Sequence, residues 1–182
     1  MKTTTLTVKR LTFAALLAAL YVILTLPFAQ IPFGIIQFRL AESFAFMAAL
    51  TPAAVPGLFV GCFLANLLNP QNLGVVDILG GSLATLLAAW LTWMIARKET
   101  EYDRITPRYI VSLMPPVIVN ALIVGFYLPF LLFPEEVSAK TIFMSMGSIA
   151  LSQIVVIYAI GLPLMLLFIK QKNLNQMMRS LR

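Results

Sequence analysis

Residues 75–96 read VVDILGGSLATLLAAWLTWMIA, with Asp77 the one charged residue among them. At about 1.5 Å per residue a helix of that length rises roughly 33 Å, enough for the ~30 Å hydrocarbon core of a bilayer. The stretch reads as a membrane-crossing helix, and the rest of the chain has to be read in the same solvent. Composition agrees. Of 182 residues, 60% are hydrophobic and 11% charged, with a mean hydropathy of +0.94, whereas soluble domains carry about a quarter charged residues. At roughly 20 apolar residues per crossing, and after loops, about six helices fit.

Toward the C-terminus, residues 97–108 (RKETEYDRITPR) are the one densely charged stretch and belong in water. Residues 109–133 form a full span that contains Pro115 and Pro116. Residues 134–139 are a short acidic loop with Glu135 and Glu136. Residues 140–169 are the last span, and 170–182 a basic tail. Toward the N-terminus, residues 69–74 (NPQNLG) are a turn-rich loop. Residues 53–68 and 38–51, parted by Pro52, are apolar and helical but short for a crossing. They are expected deep in the bundle, covered by longer neighbours. Residues 29–37 (AQIPFGIIQ) read as a loop, and 11–28 as the first span. A basic start before an apolar run also suits a signal peptide. This run is long for one and the remaining chain is equally apolar, so a retained helix is expected. The prediction is an all-α polytopic membrane protein, one domain over residues 1–182 with six transmembrane helices.

Cations set the orientation. With the N-terminus inside, Lys2, Lys9, Arg10, Arg97, Lys98, Arg104, Arg108, Lys170, Lys172, Arg179 and Arg182 lie inside. Of the 13 cations only Arg39 and Lys140 then fall outside. Both termini are expected inside, and the loops at 30–37, 69–74 and 135–140 on the outer face.

Several functions are disfavoured by what is missing. There is no histidine and one cysteine, Cys62. Disulfide frameworks, histidine bases and Cys/His zinc sites are therefore out, and no metal or cofactor is expected. No G-x-x-x-x-G-K-[ST] run is present, so the chain has no phosphate-binding loop of its own. The net charge of +6 flanks apolar runs and makes no separate basic stripe, which argues against nucleic acid. An intramembrane enzyme needs a nucleophile and base or metal ligands at depth. The scattered carboxylates do not supply them, and a non-enzyme is expected.

Ionisable groups at membrane depth are costly and mark functional sites by default. Here they are Arg39, Glu42 and Asp77. Arg39 and Glu42 are three apart and share a helix face, so they either pair locally or line a pocket. Asp77 opens a helical run, where the helix dipole favours a carboxylate, or it faces the same pocket. Asn66, Asn120 and Gln153 are polar groups that either join helices or meet a solute. Gln153 fits the joining role better, and Asn120 fits both. Phe38, Phe44, Phe46 and Tyr127 are able to stack on a flat ligand. Small residues recur at four-residue spacing, which lets helices approach closely. The first helix has Ala14 and Ala18 beside Ala15 and Ala19. The third has Gly57, Gly61 and Ala65. The fourth has Gly80, Ala84 and Ala88 beside Gly81, Thr85 and Ala89. Internal packing accounts for the last two stripes, whereas the first lies in an N-terminal helix that a partner protein can reach.

Three runs together are distinctive: Gln37-Phe38-Arg39-Leu40-Ala41-Glu42, Pro56 to Asn66 (PGLFVGCFLAN), and Asp77 followed by Gly80 to Thr85 (GGSLAT). They resemble the QueT family of queuosine-precursor transporters, substrate-binding S-components of energy-coupling factor (ECF) importers of the bacterial cell membrane. The resemblance covers most of the chain. It implies a six-helix subunit that captures a 7-deazaguanine base or a relative at the outer face. A transmembrane T-component and two ATPases would energise uptake. The alanines of the first helix are similar to the Ala-x-x-x-Ala motif with which S-components dock on that module, which makes Ala14, Ala15, Ala18 and Ala19 the docking candidates. Candidate solute contacts are Gln37, Phe38, Arg39, Glu42, Phe46, Asn66, Asp77 and Asn120. In this scheme Arg39 holds Glu42 ionised, and Asp77 assists Glu42 or takes a precursor's aminomethyl cation. An S-component for another vitamin or purine-like solute is the nearest alternative. A stand-alone secondary transporter is another, but the internal repeat such proteins usually show is not evident here.

Overall fold

The computed structural model describes residues 2–28, 39–99 and 103–182, and every regular element among them is helical. Gln37 and Phe38 lie outside the described residues. Helix α1 (Lys2–Thr25) starts earlier than the apolar run, and a 3-10 turn at Leu26–Phe28 ends it. A 3-10 turn at Leu40–Phe44 leads into α2 (Ala45–Leu50), followed by α3 (Ala54–Leu68) and α4 (Val75–Ala96). Helices α5 (Pro107–Ser112) and α6 (Met114–Leu132) follow, then α7 (Ala139–Ile154). A π-helical stretch at Val155–Gly161 joins α7 to α8 (Leu162–Lys170), and α9 (Lys172–Ser180) comes last.

Four segments among the described residues are long and apolar enough to cross a membrane: Leu6–Thr25, Val75–Ala96, Pro107–Leu132 and Ala139–Lys170. Leu40–Leu50 and Ala54–Leu68 are shorter apolar helices. The chain is therefore a polytopic membrane protein.

Element ends follow local chemistry. Thr106 caps α5 through its hydroxyl, which accepts from the Tyr109 N–H at 3.4 Å, and Pro107 occupies the first turn. The span expected from residue 109 thus begins at Pro107. Pro115 and Pro116 cannot donate to the carbonyls one turn back, and the helix breaks at Leu113 between α5 and α6. Ser138 and Thr141 form a reciprocal cap on α7, with Thr141 N–H to Ser138 Oγ at 3.3 Å and Ser138 N–H to Thr141 Oγ1 at 2.9 Å. The π-helical stretch ends just before Pro163, where a regular α-helix would lose a hydrogen bond and meet the proline ring.

The helices are small inside and large outside. On α4, Asp77, Gly81, Ala84, Thr85, Ala88 and Ala89 are buried, while Leu79, Leu83, Leu87 and Trp90 are exposed. On α3, Gly57, Gly61, Cys62 and Ala65 are buried, and Val60, Leu64 and Leu67 are exposed. Lipid solvates leucine as well as a protein core does, so close backbone approach decides which face turns inward. A Cβ on Gly57 would lie 2.8 Å from the Ala14 carbonyl oxygen, and one on Gly61 would lie 2.7 Å from the Tyr21 Cβ. Helix α1 is therefore fitted directly against α3. Neighbouring pairs then run α3 on α4, α4 on α6 and α6 on α7. The segment from Ala41 to Leu50 lies among them and is buried at almost every position. A Cβ on Gly161 would lie 2.7 Å from the Ser43 carbonyl oxygen, so the π-helical stretch packs on the 3-10 turn that carries Glu42.

The basic tail expected at 170–182 is a docked helix. Helix α9 turns back across one end of the bundle, with Met178 and Leu181 buried. Arg10 Nε and Thr51 Oγ1 each donate to the Leu181 carbonyl at 3.0 Å. Arg182 Nη2 donates to the Ala96 carbonyl at 2.9 Å, and its guanidinium lies 5.0 Å from the centre of a Trp93 ring. Both ends of the described chain thus meet at the basic end of the bundle.

Candidate functional site

Away from that end, polar groups collect in two layers. The layer at the start of α4 is built on Asp77, which is 4% exposed. Its Oδ1 accepts from the Tyr127 hydroxyl at 2.8 Å and lies 3.8 Å from Arg39 Nη2. Asn66 Nδ2 donates to the Asp77 backbone carbonyl at 3.2 Å. Arg39 Nη1 also lies 3.9 Å from Cys62 Sγ. Gly81 makes room for the cluster. A Cβ there would lie 2.9 Å from Asn66 Nδ2 and 3.4 Å from the Tyr127 hydroxyl.

The second layer is built on Glu42, also 4% exposed. Tyr21 donates to Glu42 Oε1 at 2.6 Å. Thr85 Oγ1 lies 3.5 Å from the same oxygen, but its single proton has the shorter path to the Gly81 carbonyl, at 3.0 Å. Thr85 is ten residues into α4, about 15 Å down the helix. Glu42 therefore lies well inside the bundle relative to the start of α4. Tyr21 is fully buried, so its hydroxyl needs a partner and the carboxylate supplies it.

A cleft opens between the two layers and the α6–α7 pair. It is lined by Arg39, Glu42, Asn120, Val124, Ile149 and Gln153, with about 250 Å³ of space, part of it open to the exterior. Val124 and Ile149 belong to an apolar cluster with Ala84, Ala88, Val119 and Leu128, which gives the cleft a dry wall. The polar side holds a guanidinium, a carboxylate and two amides. Both amides are buried, Asn120 at 4% and Gln153 at 5% exposure. Asn120 Nδ2 and Gln153 Oε1 have no hydrogen-bond partner. Orphaned polar atoms at such burial cost about 1–3 kcal/mol each, so a native fold rarely keeps them without a use.

The sequence candidates separate accordingly. Arg39, Glu42 and Asn120 meet at the cleft. Asn66 and Asp77 stand in the adjoining layer, where they hold one another and Arg39. Phe46 does not reach the cleft. It is fully buried in the core, edge-on to Phe168 with ring centres 5.4 Å apart. Tyr127 donates its hydroxyl to Asp77 and is not among the residues lining the cleft. Three groups escaped the sequence reading: Tyr21, Thr85 and, as a cleft residue, Gln153. Gln153 lines the cleft, and its Oε1 has no hydrogen-bond partner. A tyrosine hydroxyl inside an apolar helix was the one available signal for Tyr21.

The alanine stripes of α1 also separate. Ala14 and Ala18 are buried against α3, whereas Ala15 and Ala19 are exposed. Docking through Ala14 and Ala18 would require α1 to leave α3.

Comparison with known proteins gives this arrangement a lineage. The QueT transporter family matches over residues 11–170. Over 75 residues the chain is 37% identical to the queuosine precursor transporter QueT of Lactococcus lactis subsp. cremoris (strain MG1363). That alignment takes in 40% of this chain and 43% of the relative, so the chain spans under half the length of the curated relative it matches. No solved structure matches the chain. With the family match running from the first span through the last, this chain, a multi-pass protein of the bacterial cell membrane, belongs to the QueT transporter family.

Proposed function

We propose that the chain is the solute-capture subunit of an ECF-type importer and that its solute is a queuosine precursor, a 7-deazaguanine base or close relative, taken up from the outer face. The observation that carries this reading is Glu42. A buried carboxylate with Oε1 held by Tyr21 lines a cleft that also has an apolar wall. A 7-deazaguanine presents a ring N–H and an exocyclic amine side by side, and a carboxylate accepts such neighbours in short, charge-assisted hydrogen bonds. Val124 and Ile149 provide apolar surface for the ring. Family membership and the name of the Lactococcus relative support the same solute class.

Six crossings with both termini inside complete the proposal. The four long helices and the two short ones supply the segments, and Arg10 bonded to the Leu181 carbonyl supports an even number of crossings. The chain carries no phosphate-binding loop, so ATP would be hydrolysed by partner subunits. The exposed Ala15 and Ala19 suit close approach of a partner helix from the T-component. Calorimetric titration of the purified protein with 7-deazaguanine tests the capture reading. Saturable binding is expected, and no heat with any 7-deazaguanine base would reject it.

A further inference from the structure

The proposed reading uses one carboxylate, yet the cleft is also lined by two amide side chains, each with one buried atom that makes no hydrogen bond of normal geometry. Asn120 projects from α6 and Gln153 from α7, and both line the cleft with Glu42. Asn120 lies beside the Glu42 carboxylate, which favours its nitrogen on that side. The atom it leaves without a partner is that nitrogen, a donor; the atom Gln153 leaves is an oxygen, an acceptor. Beside the Arg39 guanidinium, which pairs with Asp77, the cleft therefore offers one amide donor, one carboxylate and one amide acceptor. The guanine-type edge presents a carbonyl oxygen, a ring N–H and an exocyclic amine, which is the complementary set.

We infer that Asn120 and Gln153 are specificity-determining residues, with Asn120 donating to the ring carbonyl of the base and Gln153 accepting from its exocyclic amine on either side of Glu42. This rests on the capture reading and deepens it, because it names which edge of the base is read. Hypoxanthine-type bases lack the amine and leave Gln153 Oε1 unpaired in a buried site. Adenine-type bases place an amine where the carbonyl should be and confront the Asn120 donor with a second donor. A site built to hydrogen-bond a group rejects analogues that lack it, because its own buried atoms are then stranded.

The test is a cycle between the exocyclic amine and Gln153. Affinities of 7-deazaguanine and 7-deazahypoxanthine are measured by calorimetry for the unmodified protein, Gln153→Met, Gln153→Glu and Asn120→Leu. The unmodified protein should prefer 7-deazaguanine by about fivefold to a hundredfold, the range set by one stranded buried polar atom. Gln153→Met should shrink that preference by at least about fivefold. Gln153→Glu keeps an acceptor at the same reach and should retain it. Asn120→Leu should weaken both bases alike, since both carry the carbonyl, and leave the preference unchanged. A preference that survives in Gln153→Met, or is lost in Gln153→Glu, overturns the assignment. A preference that changes in Asn120→Leu overturns the role given to Asn120. Because the readout is a ratio between two ligands, a fraction of misfolded protein does not move it. Failure of the unmodified protein to bind either base counts against the capture reading itself, a different outcome from binding with an unaltered ratio.

Discussion

Arg39 pairs with Asp77 on α4, Nη2 to Oδ1 at 3.8 Å, and no ion pair joins it to Glu42 three residues along its own chain. The two carboxylates therefore have different occupations. Asp77 is held by Tyr127 and Arg39, while Glu42 is held at Oε1 by Tyr21 and lines the cleft. Removing one partner of a buried pair strands the other, at a cost on the order of 3 kcal/mol. Asp77→Asn should lower the unfolding temperature in detergent more than the double variant Arg39→Gln/Asp77→Asn does. Strictly additive single effects would show that the pair is not coupled.

Glu42→Gln keeps the volume and exchanges one acceptor oxygen for a donor. Solute affinity should fall by about 1–3 kcal/mol. Tyr21→Phe removes the bond that holds Oε1 and should cost about 1 kcal/mol of affinity with the fold retained. Equal affinity in all three proteins would mean that Glu42 does not contact the solute.

Gly61→Ala and the double variant Ala15→Leu/Ala19→Leu separate internal packing from a partner surface. The new Cβ on residue 61 meets Tyr21 Cβ at 2.7 Å and Ala18 Cα at 3.1 Å, both on α1. It should destabilise the bundle and, through Tyr21, weaken solute binding. Leucines at 15 and 19 project from an exposed face and should leave stability and affinity intact while blocking co-purification with the ATPase module. Full co-purification of the leucine variant would remove that face from the docking proposal.

Leu181→Asp puts a charge into the buried seat beneath α9, where the Leu181 carbonyl also receives Arg10 and Thr51. A lower unfolding temperature and faster proteolysis after residue 170 are expected, with solute affinity unchanged. Arg179→Gln removes the exposed pair with Asp103, whose side chains are 43% and 87% exposed, and the bond from Arg179 Nε to Asn175. Its effect on stability should be within about 0.5 kcal/mol. Comparable losses from the two variants would contradict this division.

Orientation is checked with a cysteine in place of Glu101 in a Cys62→Ala background. Cys62 is buried, so its removal should disturb the surface little. Labelling from inside only is expected, because Lys and Arg cluster at that end. Strong labelling from outside would invert the proposed topology.

The linear chain was enough to establish the solvent, the helical class and the rough extents of the spans, since each depends on residues adjacent in sequence. Val75–Ala96 reads as a crossing from its own composition, and Pro52 and the loop at 69–74 divide the short helices as observed. It also singled out Arg39, Glu42 and Asp77, because a charge in an apolar run is costly wherever the fold takes it. Their partners were beyond its reach. An apolar helix in lipid carries no hydropathy contrast between its faces, so nothing local told Ala14 from Ala15, or showed that Phe46 turns to Phe168 and away from a ligand. Tyr21 reaches Glu42 because Gly57 and Gly61 let α1 close on α3, and Asn120 and Gln153 share a cleft because α6 lies along α7. Such meetings depend on backbone approach between segments far apart in the chain, and only the packed bundle determined them.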